Sequence, residues 1–222
     1  MAIFEFPPIE TADEHGLIAL GGDLELQSLL LAYSQGIFPW PISEEYPLAW
    51  FSPNPRGILF IKNLKFPQSF KKIIKKKPFK ITFNKDFEAV INGCAELTNR
   101  KDFMGTWITD DIIEAYISFH KNGFAYSVEA WNENNDLVGG LYGVNLGSFV
   151  SGESMFYRES NASKYILYSL MEHLKENNIE WLDTQMVTGI VEVFGGTEIP
   201  RSKYIELLEI NLKLERSVSL FI

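Results

Sequence analysis

Glu153, Asp183 and Gln185 are the residues of this 222-residue chain whose types and placement suit proton handling. Asp183 and Gln185 stand two apart at the end of an apolar run, and in a regular strand that spacing sets both side chains on one face. Glu153 stands in a segment whose neighbours are otherwise apolar or small. A carboxylate can orient or deprotonate an attacking nitrogen, and a carboxamide can hold the nucleophile or the carbonyl. Together the three permit acyl transfer to an amine. If the donor is already an activated ester, positioning suffices and no covalent nucleophile is required. Each residue taken alone also fits a satisfied structural polar group.

The stretch Leu137 to Gln185 must position them, and it reads as strand, tight turn, strand, loop, helix, strand. The glycines of LVGGLYGVNLG are not followed by a helix, so they suit hairpins and bulges rather than a dinucleotide loop. The chain lacks a G-x-x-x-x-G-K-[ST] phosphate loop, a G-x-S-x-G elbow and an H-E-x-x-H pair.

Composition narrows the class. A hydrophobic content of 46% with 14% aromatics describes a folded globular protein. Cys94 is the one cysteine, which excludes an intramolecular disulfide and a cysteine-based zinc site. His15, His120 and His173 lack ligand spacing, so no metal is expected. The N-terminus has no signal-peptide pattern, and no apolar run approaches the roughly 20 residues of a membrane span. The expectation is a cytoplasmic protein with no membrane partner.

The net charge of −9 argues against wholesale nucleic-acid coating. It leaves one dense basic cluster, Lys71, Lys72, Lys75, Lys76 and Lys77, with Lys62, Lys65 and Lys80 nearby. Such a cluster is either a solvated helix face or a local contact to RNA phosphate.

Other elements follow from caps and periodicity. Asp23 is placed to cap LELQSLLLAYSQ, with Gly36 as its terminating residue. Gly36 to Gly57 carries five prolines and several aromatics, and reads as a stiff loop that serves as a surface or a binding loop. A strand is expected at Gly57–Lys62, a helix at Phe66–Lys77 with Pro67 in its first turn, and a strand at Phe79–Phe83. Asn84 is placed to cap the next helix, whose Phe87, Val90, Ile91 and Cys94 fall at helical spacing, making Cys94 a core residue. Thr109 caps a helix that Gly123 closes. Strands at FAYSVEAW and LVGGLYGV precede a helix starting at Ser160 or Asn161, a strand at Ile179–Asp183 and a helix at Pro200–Leu208. A domain boundary is expected at Thr98–Gly105, dividing the chain into residues 1–100 and 101–222.

GLIALGGDL, AYSQGIFPW, WFSPNPR, GTWIT, SVEAW, LVGGLYG, GESMF, NASK, LDTQ and EIPR, in this order, resemble the leucyl/phenylalanyl-tRNA–protein transferase family from about Pro7 to Leu208. The resemblance implies an α+β protein with a small N-terminal α/β domain. It implies a C-terminal acetyltransferase-like (GNAT) mixed sheet with flanking helices. Such enzymes take Leu, Phe or sometimes Met from aminoacyl-tRNA, without a cofactor. They join it to the N-terminal Arg or Lys of an acceptor protein, creating an N-degron for proteolysis.

By this likeness Asp183 and Gln185 match the family's catalytic acid and glutamine, and Glu153 the glutamate that holds substrate near them. Trp107, Trp50 and Phe51 would stack on the terminal adenosine. Leu141, Val150, Gly152 and Met155 would line the pocket for the transferred side chain, and the Lys71–Lys77 cluster would contact the tRNA backbone. A monomer is expected. The chain departs from the family at Tyr126, where many members have His, at Thr184, at Phe51, and in MVTGIVEVFGG after Gln185. Two alternatives stand beside this reading. One is an acyl-CoA N-acyltransferase, although RESNASK replaces that class's pyrophosphate loop. The other is a non-catalytic module binding tRNA or peptide.

Overall fold

Alternating apolar residues between turn formers give strands, and the longest of these build two successive hairpins. The computed structural model describes residues 3–42, 46–96, 107–214 and 220–221. Its strands are β1 (Leu17–Leu20), β2 (Phe38–Pro39), β3 (Ala49–Phe51), β4 (Arg56–Phe60), β5 (Lys80–Phe83), β6 (Ala125–Trp131), β7 (Leu137–Leu146), β8 (Phe149–Tyr157), β9 (Trp181–Gln185) and β10 (Thr197–Ile199). Its helices are α1 (Leu26–Ser34), α2 (Gln68–Lys76), α3 (Phe87–Ala95), α4 (Asp110–Lys121), α5 (Ala162–Glu176), α6 (Gly189–Val193) and α7 (Arg201–Lys213).

The fold is mixed α and β. Seven strands form one sheet in the order β10-β4-β9-β8-β7-β6-β5, and β1-β3-β2 form a small second sheet. All pairs in the large sheet are antiparallel except β8 and β9, which α5 connects as a crossover. The β8–β9 ladder holds a single registered pair, Ser151 with Asp183. Beyond it the two strands are no longer laddered, and that gap is where the site lies.

Helices cover both faces of the sheet. Ile166, Leu167, Leu170 and Leu174 of α5 pack with Val128, Leu141 and Val150. Val90 and Ile91 of α3, with Ile112 and Tyr116 of α4, pack with Tyr142, Val144 and Phe149. Each fully buried aliphatic chain contributes about 1.5–3 kcal/mol. Tyr33 of α1 and Tyr204 of α7 join this second cluster, which brings two distant helices to the strands that carry the site.

Several expectations are met in place. Gly36 follows α1 with φ +73°, Thr109 caps α4 by accepting the Ile112 N–H, and Cys94 is buried in the core. Others are corrected. Asp23 does not cap α1. Its Oδ1 accepts from the Glu25 N–H at 3.1 Å and from Ser28 Oγ at 2.6 Å, an Asx turn that precedes the helix, and Glu25 is the N-cap. Asn84 does not cap α3 either. It takes φ +53° and ties Ser127 N–H to the Phe221 carbonyl, while Asp86 accepts the Ala89 N–H. The aromatic loop contains β2 and β3, and Pro39 is tolerated because β2 is an edge strand of the small sheet.

The expected boundary at 98–105 lies outside the described residues. The large sheet crosses the division into 1–100 and 101–222: β4 and β5 come from before it and pair with β9 and β6, which come after it.

Candidate active site

Two β-bulges shape the site. In the β7–β8 ladder Tyr142 pairs with Ser154 and Gly143 with Gly152, so Glu153 is the extra residue between them. A bulge re-aims the side chain it carries. Gly143 makes the bend possible, since a Cβ there would sit 1.9 Å from the Ser151 carbonyl oxygen. In the β4–β9 ladder Gly57 pairs with Gln185 and Ile58 with Asp183, which leaves Thr184 as the extra residue. Gln185 takes φ +53° immediately after it.

The second bulge breaks the two-residue alternation that would keep Asp183 and Gln185 on one face. Leu182, Thr184 and Gln185 line the cavity, and Asp183 does not. The Gln185 amide Nε2 donates to Glu153 Oε1 at 2.9 Å, and Ser151 Oγ donates to the same oxygen at 2.6 Å. Asp183 meets Gln185 only through the backbone, accepting its N–H on Oδ1 at 3.0 Å.

Asp183 is fully buried and bound by Arg56. Arg56 Nε donates to Oδ1 at 2.9 Å and Nη2 to Oδ2 at 2.7 Å, a bidentate pair. The Tyr204 hydroxyl donates to Oδ2 at 2.9 Å. The guanidinium also donates to the Gly36 carbonyl at 3.1 Å and lies 4.9 Å from the Phe38 ring centre and 4.3 Å from that of Tyr204. Burial works against the Arg56 charge, but Asp183 outweighs it and holds the guanidinium above its usual pKa.

Glu153 lies in a different environment. Desolvation raises its pKa to about 7, against the hydrogen bonds from Ser151 and Tyr33 that favour the charge. Tyr33 of α1 is in turn hydrogen-bonded to Tyr116 of α4. Burial, and then the Glu153 charge, push the phenols of Tyr33, Tyr116 and Tyr126 well above their ordinary values. Tyr126, the departure from the family's His, donates to the Ser151 carbonyl at 3.0 Å and stacks on Phe221 at 3.8 Å.

The cavity these groups serve is about 390 Å³. Its walls include the expected Leu141, Gly152, Met155 and Trp107, together with Phe38, Trp40, Leu167, Leu182, Ile190 and Val191. MVTGIVEVFGG supplies four of the lining residues, Met186, Thr188, Ile190 and Val191. Ser154 Oγ and Thr184 Oγ1, both on the lining, have no hydrogen-bond partner.

The other expected contacts are placed elsewhere. Val150 is buried in the α5-side core and does not line the cavity. Trp50 is fully buried, and its indole N–H is spent on the Gly21 carbonyl at 2.8 Å, so it presents no free face for stacking. Phe51 is half-buried against Trp40, with ring centres 6.4 Å apart, and does not line the cavity. Trp40, which sequence reasoning passed over within GIFPW, is the aromatic beside Trp107, at 6.0 Å. Lys71, Lys72, Lys75, Lys76 and Lys77 are all exposed. Their helix is anchored by Phe70 against Phe194, which directly follows the cavity-lining α6.

The chain is similar to known proteins along most of its length. Residues 58–209, more than half of the chain, match the family described as leucyl/phenylalanyl-tRNA protein transferase, and residues 22–54 match that family's N-terminal domain. A leucyl/phenylalanyl-tRNA–protein transferase of Flavobacterium johnsoniae is 46% identical over 204 residues, covering 92% of this chain and 95% of its own length. One of Colwellia psychrerythraea is 46% identical over 206 residues, covering 90% and 84%. The solved structure of L-PGS from Bacillus licheniformis aligns with a TM-score of 0.41 at 10% identity, over 71% of this chain and 49% of that one, a likeness too slight to argue from. With both family matches in chain order and relatives this similar along their length, the chain belongs to the leucyl/phenylalanyl-tRNA protein transferase family.

Proposed function

We propose that this chain transfers Leu, Phe or Met from an aminoacyl-tRNA to the N-terminal Arg or Lys of an acceptor protein, forming a peptide bond and an N-degron. The observation that carries the reading is the cavity. Its apolar walls include the Glu153–Gln185 hydrogen bond, so an apolar side chain and a reacting amine have matched surroundings in one place. At about 390 Å³ it lies at the small end of ligand pockets, a size that suits one amino-acid side chain. Leu141, Met155 and Leu182 would hold that side chain, and crowding by these walls disfavours β-branched residues.

Trp107 and Trp40 together offer an aromatic surface for the terminal adenine, where stacking is worth about 1–3 kcal/mol per base. Ser154 Oγ and Thr184 Oγ1 are free to hydrogen-bond the polar atoms of the aminoacyl ester. Gln185 would hold the nucleophile or the carbonyl, and Asp183 would fix the backbone that presents Gln185. The exposed lysines of α2 would meet tRNA phosphates, because neutralising phosphates releases counterions. We read the sheet as acetyltransferase-like, which the single parallel pair after a helical crossover supports. The reading places the protein in the cytoplasm, where charged tRNA is found. No helix among the described residues is long and apolar enough to cross a membrane.

The test uses purified protein, Leu-tRNA or Phe-tRNA, and peptides that begin with Arg, Lys or Gly, weighed by mass spectrometry. Gain of one Leu or Phe on the Arg and Lys peptides alone supports the proposal. Equal gain on the Gly peptide removes the acceptor specificity, and no gain on any peptide removes the activity.

A further inference from the structure

Two carboxylates stand near the reacting position, and the structure separates their roles. A carboxylate has about four lone-pair sites for hydrogen bonds. Asp183 has four donors on it: Arg56 Nε, Arg56 Nη2, the Tyr204 hydroxyl and the Gln185 N–H. It is fully buried and absent from the cavity lining. To take a proton it would have to break a bidentate buried ion pair and leave Arg56 without its partner. Glu153 is the one carboxylate on the lining among the described residues. The bulge at Glu153 turns it there, and Gln185 Nε2 and Ser151 Oγ hold it.

We propose that Glu153 is the general base of the transfer, and that Ser151, whose Oγ donates to Oε1 at 2.6 Å, is a positioning residue for the Glu153 carboxylate. The inference rests on the aminoacyl-transfer reading above. The acceptor's neutral α-amino nitrogen attacks the ester carbonyl carbon of the aminoacyl-tRNA. The C–N bond forms and the C–O bond to the terminal ribose breaks. One proton leaves the nitrogen for Glu153 and returns to the ribose oxygen, which departs as a hydroxyl. Nothing is oxidised or reduced, and no co-reactant is needed.

Electrostatics suits the role. Desolvation sets the Glu153 pKa at about 7, and a base is most efficient when its pKa lies near the working pH. The groups that bear on it are Ser151, Tyr33 and Arg56, which favour its charge, and Asp183, which opposes it. The phenols of Tyr116 and Tyr126 also feel its charge but are held well above their ordinary values, so they stay neutral. Tyr33 is neutral for the same reason.

The experiment measures single-turnover transfer from Leu-tRNA to an Arg-starting peptide, from about pH 5 to about pH 9, each rate divided by the fraction of peptide whose α-amino group is neutral at that pH, with tRNA binding measured in parallel. Wild type, Glu153→Gln and Ser151→Ala are compared. The wild-type rate rises through a limb near the Glu153 pKa. Glu153→Gln slows transfer by about 100-fold or more, leaves tRNA binding intact and loses that limb. Ser151→Ala removes a donor that favours the carboxylate, so the limb moves to higher pH, a shift that loss of packing alone would not produce. Glu153→Gln transferring within a few-fold of wild type with the limb retained, or a limb unmoved in Ser151→Ala, overturns this inference alone. A wild type that transfers nothing overturns the function reading and this inference with it.

Discussion

Arg56 and Asp183, 127 residues apart, form a bidentate ion pair with both side chains fully buried. The pair joins β4 to β9 directly beside the second bulge, and Tyr204 completes it from α7. It therefore fixes the strand end from which Gln185 reaches Glu153.

Breaking that pair from one side leaves an uncompensated buried charge, which costs about 3–5 kcal/mol. Asp183→Ala and Arg56→Met are each expected to lower stability by that amount in urea unfolding. The double variant is expected to lose less than the sum of the two. Strict additivity would show that the pair is not coupled.

Stability is also expected to depend on pH through Glu153. Its folded pKa, about 7, is raised above the ordinary 4.5. Below the lower value both states are protonated, and between the two only the unfolded chain ionises, so stability falls as pH rises and the loss is complete above the folded pKa. The shift corresponds to on the order of 3 kcal/mol, at 1.36 kcal/mol per unit. Glu153→Gln is expected to be more stable than wild type at pH near 8 and nearly equal near pH 4, by urea titration at each pH. A constant difference across that range would remove the titration of Glu153 as the cause.

Two glycines beside the site make opposite predictions. A methyl at Gly143 meets the Ser151 carbonyl oxygen at 1.9 Å, so Gly143→Ala distorts the bulge and destabilises by about 1–3 kcal/mol or more. At Gly152 the nearest atom is Leu182 Cδ2 at 3.9 Å, an ordinary contact. Gly152→Ala is expected to fold normally and to narrow the cavity, lowering Phe transfer more than Leu transfer. Melting temperature and competition between the two charged tRNAs measure each effect, and an unchanged Leu-to-Phe ratio would take Gly152 out of the pocket wall.

The lysines of α2 are expected to show themselves in salt dependence. Reversing Lys71, Lys72 and Lys75 to Glu should weaken aminoacyl-tRNA binding and reduce the slope of log affinity against log salt, by about 0.7–0.9 for each phosphate no longer neutralised. Filter binding at several salt concentrations checks this. An unchanged slope returns the helix to a solvated face.

The sequence is informative where the signal is local. Thr109, Gly36 and the hairpin glycines act on their own neighbours, and the structure has them where their chemistry requires. Glu153 and Gln185 were legible as polar groups beside apolar neighbours, whereas Leu141, Gly152, Met155 and Trp107 followed only from the family likeness; all six line the cavity. What was not legible depends on partners far along the chain. Nothing near Arg56 announces Asp183, and nothing near Tyr33 announces Tyr116. A bulge is an offset between two strands, so Thr184 could not reveal that Asp183 and Gln185 part company. Trp40 and Trp50 share one aromatic-rich segment, and only the small sheet's packing decides that Trp50 is interior and Trp40 reaches the cavity.

The most direct test of the central claim is the identity of the donor. An Arg-starting peptide is incubated with the protein and either Leu-tRNA or acetyl-CoA, and the peptide is weighed. The account predicts a gain of one leucine from Leu-tRNA and no gain from acetyl-CoA. Acetylation of the peptide, with Leu-tRNA inert, would contradict it.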